Sequence, residues 1–337
     1  MLNKETIYNI IEAIGIEKQE LVLLHFWGED NDRPVLHMFE LAIASQGASP
    51  ISIQQSREFN AELFDCMKTG SLGMGTNYFK LFEPIDIVID ICMYQPVVPG
   101  EQMKPEGMAL YREYMGRLFQ ALTAKKKFVQ IRIPTIANAE SSALTAQDYI
   151  YRMEKAYDVD YKCLRTACID KIEELRGSKL ITLTTGADCR LTFHLGDREW
   201  NIDAGDGDFP CGEVYIAPKE ELSQGSIYFE KLFVEDMGEF NHITLTVEDG
   251  KIVTSNHPPF NEFLQELPEN GTVIGEFGIG LNPNITEISG DALLDEKMYG
   301  TVHIGIGMNT LFGGQNNSPI HMDFVVTGKY SIITDQD

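Results

Sequence analysis

The first half of the chain alternates two hydrophobic patterns. "LVLLHF" (21–26) is a short apolar run, and "PVLHMFELAIASQG" (34–47) repeats apolar residues at helical spacing up to Gly47. "SPISIQQ" (49–55), "IDIVIDIC" (85–92) and "KKKFVQIRIP" (125–134) follow, with helical stretches between them. Apolar strands separated by helices predict a parallel sheet covered on both faces. From about 136 to 176 the pattern is helical, and Gly177 with Ser178 marks a helix stop and a domain boundary.

Beyond that point the runs are shorter and closer together: "KLITLTT", "CRLTFHLG", "EVYIAP", "GSIYFEKLF", "HITLTVEDGKIV", "TVIGEFGIGL", "TVHIGIGM" and "IHMDFVV". "VEDGKIV" is a hairpin signal with Asp-Gly at its turn. The expectation is an α/β domain with a parallel sheet over 1–177, then a mostly antiparallel β domain over 178–337. The sequence contains no internal repeat, and "GMG" at 73–75 is too short a signal for a nucleotide loop.

Successive side chains of a strand point to opposite faces, so each late strand can be split into two. In "GEFGIGL", Glu276, Gly278 and Gly280 oppose Phe277, Ile279 and Leu281; in "TVHIGIG", His303, Gly305 and Gly307 oppose Val302, Ile304 and Ile306. "GEVYIAP" sets Glu213, Tyr215 and Ala217 against Val214 and Ile216, and "PIHMDF" sets His321 and Asp323 against Ile320, Met322 and Phe324. Each strand thus gives one apolar face to a core and carries acidic or imidazole groups on the other. Glycine weakens a strand interior and marks a place where something approaches the backbone closely. Two strands accept that weakness beside a Glu or a His.

Composition narrows the function. Of 337 residues, 43% are apolar and 23% charged, as in an ordinary globular protein. The net charge of −24, from 51 acidic against 27 basic residues, argues against nucleic-acid partners and an anionic membrane surface. It suits cationic ligands. The opening twenty residues lack the apolar core and small-residue cleavage site of a signal peptide, and no run approaches the roughly 18 apolar residues of a spanning helix. Six cysteines without a C-x-x-C or a regular framework read as reduced, mostly buried thiols, and the sequons at Asn270, Asn284 and Asn316 as chance matches. The expected location is the cytoplasm.

Glu213, Glu276, His303, His321 and Asp323 are the candidate metal ligands: three carboxylates and two imidazoles. That mixture suits zinc, cobalt or manganese, and a carboxylate can bridge two such ions, the equipment for hydrolysing an amide. Taken singly, each has an ordinary explanation as a satisfied polar residue; the shared faces argue for a site. His194 and His242 alternate with Thr and are expected to face water; His37 lies in a helix and His257 in a loop. His25, at the carboxyl end of a strand, is a candidate for ligand contact or for a structural role.

"GEVYIAP", "GEFGIG", "HIGIG" and "HMDF" together resemble the metal-binding sequences of the aminopeptidase T and aminopeptidase S family of metallo-aminopeptidases, in the family's order. The resemblance covers 180–330 and matches Glu213, Glu276, His303, His321 and Asp323 to the family's ligands. It implies a dinuclear metal site, a homodimer, and removal of N-terminal residues from small peptides. Where the family carries a tyrosine thought to assist catalysis, seven residues after the strand histidine, this chain has Thr310, and it is shorter before residue 180. Glu276 is the candidate proton shuttle. The competing reading is a ring-cleaving dioxygenase of the dihydroxypyridine type, which resembles the same family and uses one Fe(II), here on His321, Asp323 and either His303 or a replaced ligand; the missing tyrosine and the short length favour it. Keeping Glu213 and Glu276 favours the hydrolase. A non-catalytic binding protein is the third reading, disfavoured by a full ligand set.

Overall fold

A computed structural model of the protein describes residues 2–67, 76–96, 103–140, 142–234 and 237–336. The "GMG" stretch lies outside the described residues. The apolar runs of the first half form β1 (Leu21–Trp27), β2 (Ser49–Gln55), β3 (Ile87–Cys92) and β4 (Lys127–Arg132), all parallel. Every residue of β3 is buried, as an apolar run beneath two helical layers should be. The helix Arg33–Ser45 buries Val35, Leu36, Phe39, Ala42 and Ile43, one face at helical spacing. The helix Pro105–Thr123 adds Tyr111, Tyr114, Leu118 and Leu122 to a core around Phe64, Ile85 and Val88.

One row of this sheet is polar. His25, Asp90 and Gln130 are register partners, and Asp90 faces His25 Nδ1 at 2.7 Å while accepting from Trp27 Nε1 and Gln130 Nε2 at 2.8 Å each. His25 is 4% exposed, so it belongs to a buried network within its own unit. A buried carboxylate needs such donors.

The helix Tyr161–Leu175 precedes β5 (Leu180–Thr185), β6 (Cys189–His194) and β7 (Asn201–Asp203). β8 (Asp208–Phe209) returns to the first sheet beside β4. The chain continues through β9 (Glu213–Ile216), β10 (Gln224–Val234), β11 (Gly238–Glu248), β12 (Lys251–Ser255), β13 (Ile274–Gly280), β14 (Val302–Gly307), β15 (His321–Val326) and β16 (Tyr330–Thr334). Among the described residues these make two antiparallel sheets, in the orders β12-β11-β10-β6-β5-β16 and β15-β14-β13-β9-β7. The β11–β12 hairpin turns on Asp249 and Gly250, both at positive φ as a type I′ turn requires. The two sheets meet through apolar faces, where Phe277 of β13 stacks on Phe193 of β6 with ring centroids 4.9 Å apart; Phe324 of β15 meets Phe260 of the helix Pro258–Glu266 at 5.9 Å.

The chain thus forms an α/β unit with a parallel sheet and an antiparallel β unit, as the pattern predicts. Their bounds differ from the expected boundary at 177. One unit is Met1–Tyr161 with Gly205–Cys211, the other Lys162–Ala204 with Gly212–Asp337. The helix Tyr161–Leu175 falls to the second unit from Lys162 onward: Cys168 is buried there, its Sγ 3.5 Å from the Glu213 carbonyl. The returning segment 205–211 is a discontinuity that no single boundary captures. None of the six cysteines forms a disulfide; Cys92, Cys168 and Cys211 are buried but Cys66 and Cys163 are exposed, so burial holds for half of them. His242 is exposed and His194 half-buried. Among the described residues no helix is long and apolar enough to cross a membrane.

Candidate metal centre

The register of the second antiparallel sheet decides which side chains share a face. Residues directly opposite in an antiparallel pair point the same way. Gly278 of β13 sits opposite Tyr215 of β9 and His303 of β14; Glu276 sits opposite Gly305, which faces Asp323 of β15; Gly307 faces His321; Gly280 faces Glu213, which faces Asp203 of β7. All five predicted ligands therefore lie on one face. A register irregularity between Ile274 and Glu276 puts Ile274 opposite Ile306, on the apolar side, and lets the Glu276 face begin where it does.

What approaches the glycines is the cluster itself. A Cβ on Gly278 would run into the His303 imidazole. One on Gly305 would lie 2.7 Å from Glu276 Cβ, 2.9 Å from Asp323 Oδ1 and 2.9 Å from His321 Cε1. Only a residue without a side chain leaves room for neighbouring strands to fold their ligands inward.

The five groups form two overlapping triads. His303 Nε2 stands 3.3 Å from Glu213 Oε2 and 3.2 Å from Glu276 Oε1; His321 Nε2 stands 3.5 Å from Glu276 Oε2 and 3.3 Å from Asp323 Oδ2. Within each triad, Glu213–Glu276–His303 and Glu276–His321–Asp323, the ligand atoms lie within 4.8 Å of one another. Glu276 is common to both. His321 Nδ1 lies 2.7 Å from the Met308 carbonyl, a bond it makes as donor, leaving Nε2 for the cluster.

Sequence periodicity missed three further charges. Asp203 lies on three-residue β7, and Glu296 and Lys297 follow a four-residue helix (Ala292–Asp295), segments too short to carry a face pattern. Lys297, 3% exposed, pairs through Nζ with Glu213 Oε1, with Glu296 Oε1 at 2.9 Å and with Asp203 Oδ2 at 3.7 Å. Glu296 also hydrogen-bonds Asp323. Among the described residues, five carboxylates thus share one cluster with a single ammonium and two imidazoles. Glu213 Oε2, His303 Nδ1 and Asp323 Oδ1 are buried without a hydrogen bond. Buried anionic oxygens in excess of their donors call for cations. The donor set fits divalent metal.

Protons now meet part of that demand. Burial alone would lower the His303 pKa, but the hydrogen bond to Glu276 and the charges of Glu213, Asp323 and Glu276 outweigh it and bring it to about 9. Burial opposes His321 too, and the charge of Asp323 overrides it, raising that imidazole well above its usual value. Burial holds the Glu276 carboxyl above the usual range, while Asp323, against the same penalty, is held well below it by His321. A metal ligand imidazole must be neutral, so divalent ions displace these protons and bind more tightly as pH rises towards 9. The metal-free fold responds in the opposite sense. Its His303 pKa is raised above the unfolded value of about 6.5, so that stabilisation is complete below about 6.5 and is lost as pH rises through about 9. Calorimetric titration with zinc in two buffers of different ionisation heat should therefore show proton release at pH 7, and the melting temperature of the metal-free protein should fall from pH 6.5 to 9 while the loaded form gains. A buffer-independent heat would contradict the assignment.

Thr310 is not brought into this cluster. It is exposed at the start of the short helix Thr310–Phe312 and makes no side-chain hydrogen bond to any of the five groups. The same turn delivers Phe312 instead, whose ring meets Tyr215 at 5.3 Å and His321 at 5.7 Å. Glu220 holds the loop: it pairs with Arg198 at 2.9 Å and accepts from Asn309 Nδ2 at 3.2 Å and Gln315 N at 2.6 Å.

The profile of the thermophilic metalloprotease (M29) family matches residues 162–336, just over half of the chain. No curated protein matches the sequence. The fold is similar to that of wild-type AmpT from Thermus thermophilus, with TM-score 0.69 and 18% identity over 98% of this chain and 95% of that one. It is also similar to 2,5-dihydroxypyridine dioxygenase from Pseudomonas putida KT2440, with TM-score 0.65 and 13% identity over 98% of this chain and 93% of that one. At these identities the two structures speak for the fold.

Proposed function

Because the chain belongs to the thermophilic metalloprotease (M29) family, we propose that it is an aminopeptidase that removes N-terminal residues from small peptides with two divalent ions. The observation that carries this reading is the pair of triads sharing Glu276. Zinc, cobalt or manganese held there would supply a Lewis acid for the scissile carbonyl and acidify a water into a nucleophile at neutral pH.

The chain's own residues divide the remaining work. Lys297 occupies one oxygen of Glu213 and leaves the other turned to His303, which fixes the carboxylate's orientation. The surplus of buried carboxylates suits a substrate's free ammonium. Both oxygens of Glu276 face imidazoles, so the proton shuttle expected of it fits Glu296 better. Burial raises the Glu296 carboxyl well above the usual range, and it stands beside Asp323 able to hold a proton. A homodimer acting in the cytoplasm belongs to the same proposal.

The oxygenase reading places one Fe(II) on His321 and Asp323 with His303 or a replaced ligand. Among the described residues His303 clusters with Glu213 and Glu276, not with that pair. The test is to purify the protein without added metal, count and identify the bound ions, and assay aminoacyl-amide hydrolysis after loading with cobalt or zinc. Two ions per chain with turnover is the expected result. A single iron, with oxygen uptake on a hydroxylated heteroaromatic, would overturn it.

A further inference from the structure

We propose that Tyr215 is a catalytic residue, its hydroxyl donating a hydrogen bond to the carbonyl oxygen of the scissile amide as that oxygen becomes anionic. The inference rests on the hydrolase reading above.

Tyr215 is next but one to Glu213 on β9 and shares its face. Across the sheet it stands opposite Gly278, which on its other side stands opposite His303, so a phenol and a ligand imidazole flank one bare backbone position. The ring is fixed by an edge contact with Phe312, and Phe312 by an edge contact with His321. These contacts keep the ring at the ligand cluster.

The hydroxyl is what sets this residue apart. Lys297 is engaged with three carboxylates, the Nε2 atoms of both histidines with Glu276, and Asp323 with His321. Two buried tyrosines elsewhere are tied down: Tyr157 donates to the Arg132 and Phe209 carbonyls, and Tyr94 to Glu29 and Gln55. Among the described residues Tyr215 has no side-chain hydrogen-bond partner, and it is half-buried. A fully buried phenol normally finds a partner within the fold, whereas a half-buried one can be served by water. One left open on a ligand face is available to something that arrives there.

Its chemistry is that of a donor. An ordinary phenol, with a pKa of about 10, keeps its proton at neutral pH. Carboxylates and the Nε2 atoms that neutral imidazoles turn to the cluster are acceptors, and an acceptor cannot stabilise a developing oxyanion. When water adds to the carbonyl carbon, the C=O pair moves onto oxygen, where the phenol's O–H meets it without giving up the proton. Collapse restores C=O and breaks the C–N bond. Water supplies the oxygen of the new carboxyl group and a proton to the departing amine. Thr310, exposed and away from the cluster, offers no such donor.

The test compares Tyr215→Phe with the parent enzyme, both loaded with zinc. Phenylalanine keeps the ring against Phe312, so metal content and melting temperature should be unchanged. The expected result is a loss of about 100- to 1000-fold in kcat with little change in KM, the scale for removing one oxyanion donor. The affinity for a phosphinate peptide analogue, whose tetrahedral oxygen mimics the oxyanion, should fall by about 100-fold, while the affinity for the product amino acid stays the same. Retention of kcat within about threefold, or equal weakening of phosphinate and product binding, would overturn the assignment. A parent enzyme that hydrolyses no amide removes the hydrolase reading and this inference together; an active parent with an indifferent Tyr215→Phe removes this inference alone.

Discussion

Glu276→Gln is expected to hold at most one divalent ion per chain against the two proposed for the parent, and to lose about 1000-fold or more of its turnover, since an ion contributes several kcal/mol at the transition state. Glu276 belongs to both triads, with Oε1 at 3.2 Å from His303 Nε2 and Oε2 at 3.5 Å from His321 Nε2. An amide replaces one oxygen by a donor nitrogen and removes the charge, so at least one of the two ions loses its carboxylate. The fold should survive. Glu276 is buried and its carboxyl is pushed up by desolvation, so a neutral isostere removes a buried charge as well as its partners. Metal analysis of the purified variant, beside its melting temperature without metal, reads the two effects separately. Two ions retained at full occupancy would remove Glu276 from the shared position. A matching change at His194, half-buried on β6 of the other sheet, should leave metal content untouched.

How much of this was legible in the sequence follows from which elements carry a period. β9, β13, β14 and β15 alternate apolar and ligand residues, so the faces of Glu213, Glu276, His303, His321 and Asp323 could be read from spacing alone, and the register then supplies their proximity. The Asp249–Gly250 turn was equally legible, because two positive φ values in a tight hairpin restrict the residues that fit. The rest was hidden for physical reasons. Asp203, Glu296 and Lys297 sit on elements of four residues or fewer or just beyond them, where no periodicity exists, yet together they set the charge balance of the site. The helix Tyr161–Leu175 continues a helical stretch without a break in pattern, although its tertiary contacts assign it to the second unit. His25 looked available at a strand end because a sequence cannot show that Asp90 on the next strand lies opposite it.

Gly278→Ala is the sharper test of the geometry, because ordinary rules give it the wrong sign. Glycine inside a strand normally costs stability, and alanine there should gain up to about 1 kcal/mol by restricting the unfolded chain. In this sheet the added methyl would run into Nε2 and Cε1 of His303 and come 3.0 Å from Cδ2. The backbone cannot move aside easily, since β13 is paired on both edges and buried along its whole length. The imidazole cannot swing away either: it is 0% exposed, with Glu213 and Glu276 on its Nε2 side. Overpacking of this kind costs about 1–3 kcal/mol, so Gly278→Ala is expected to lower the melting temperature of the metal-free protein and to empty the triad of Glu213, Glu276 and His303. Removing the obstruction should restore what the methyl took away. In Gly278→Ala combined with His303→Ala, the stability penalty of the glycine change should largely vanish, a coupling of about 1 kcal/mol or more between two residues that stand opposite each other across two strands. Metal content would stay low in the double variant, since the ligand itself is gone. If Gly278→Ala alone proves as stable as the parent and fills both ion positions, then His303 does not lie over that glycine, and the triad built on it is wrong.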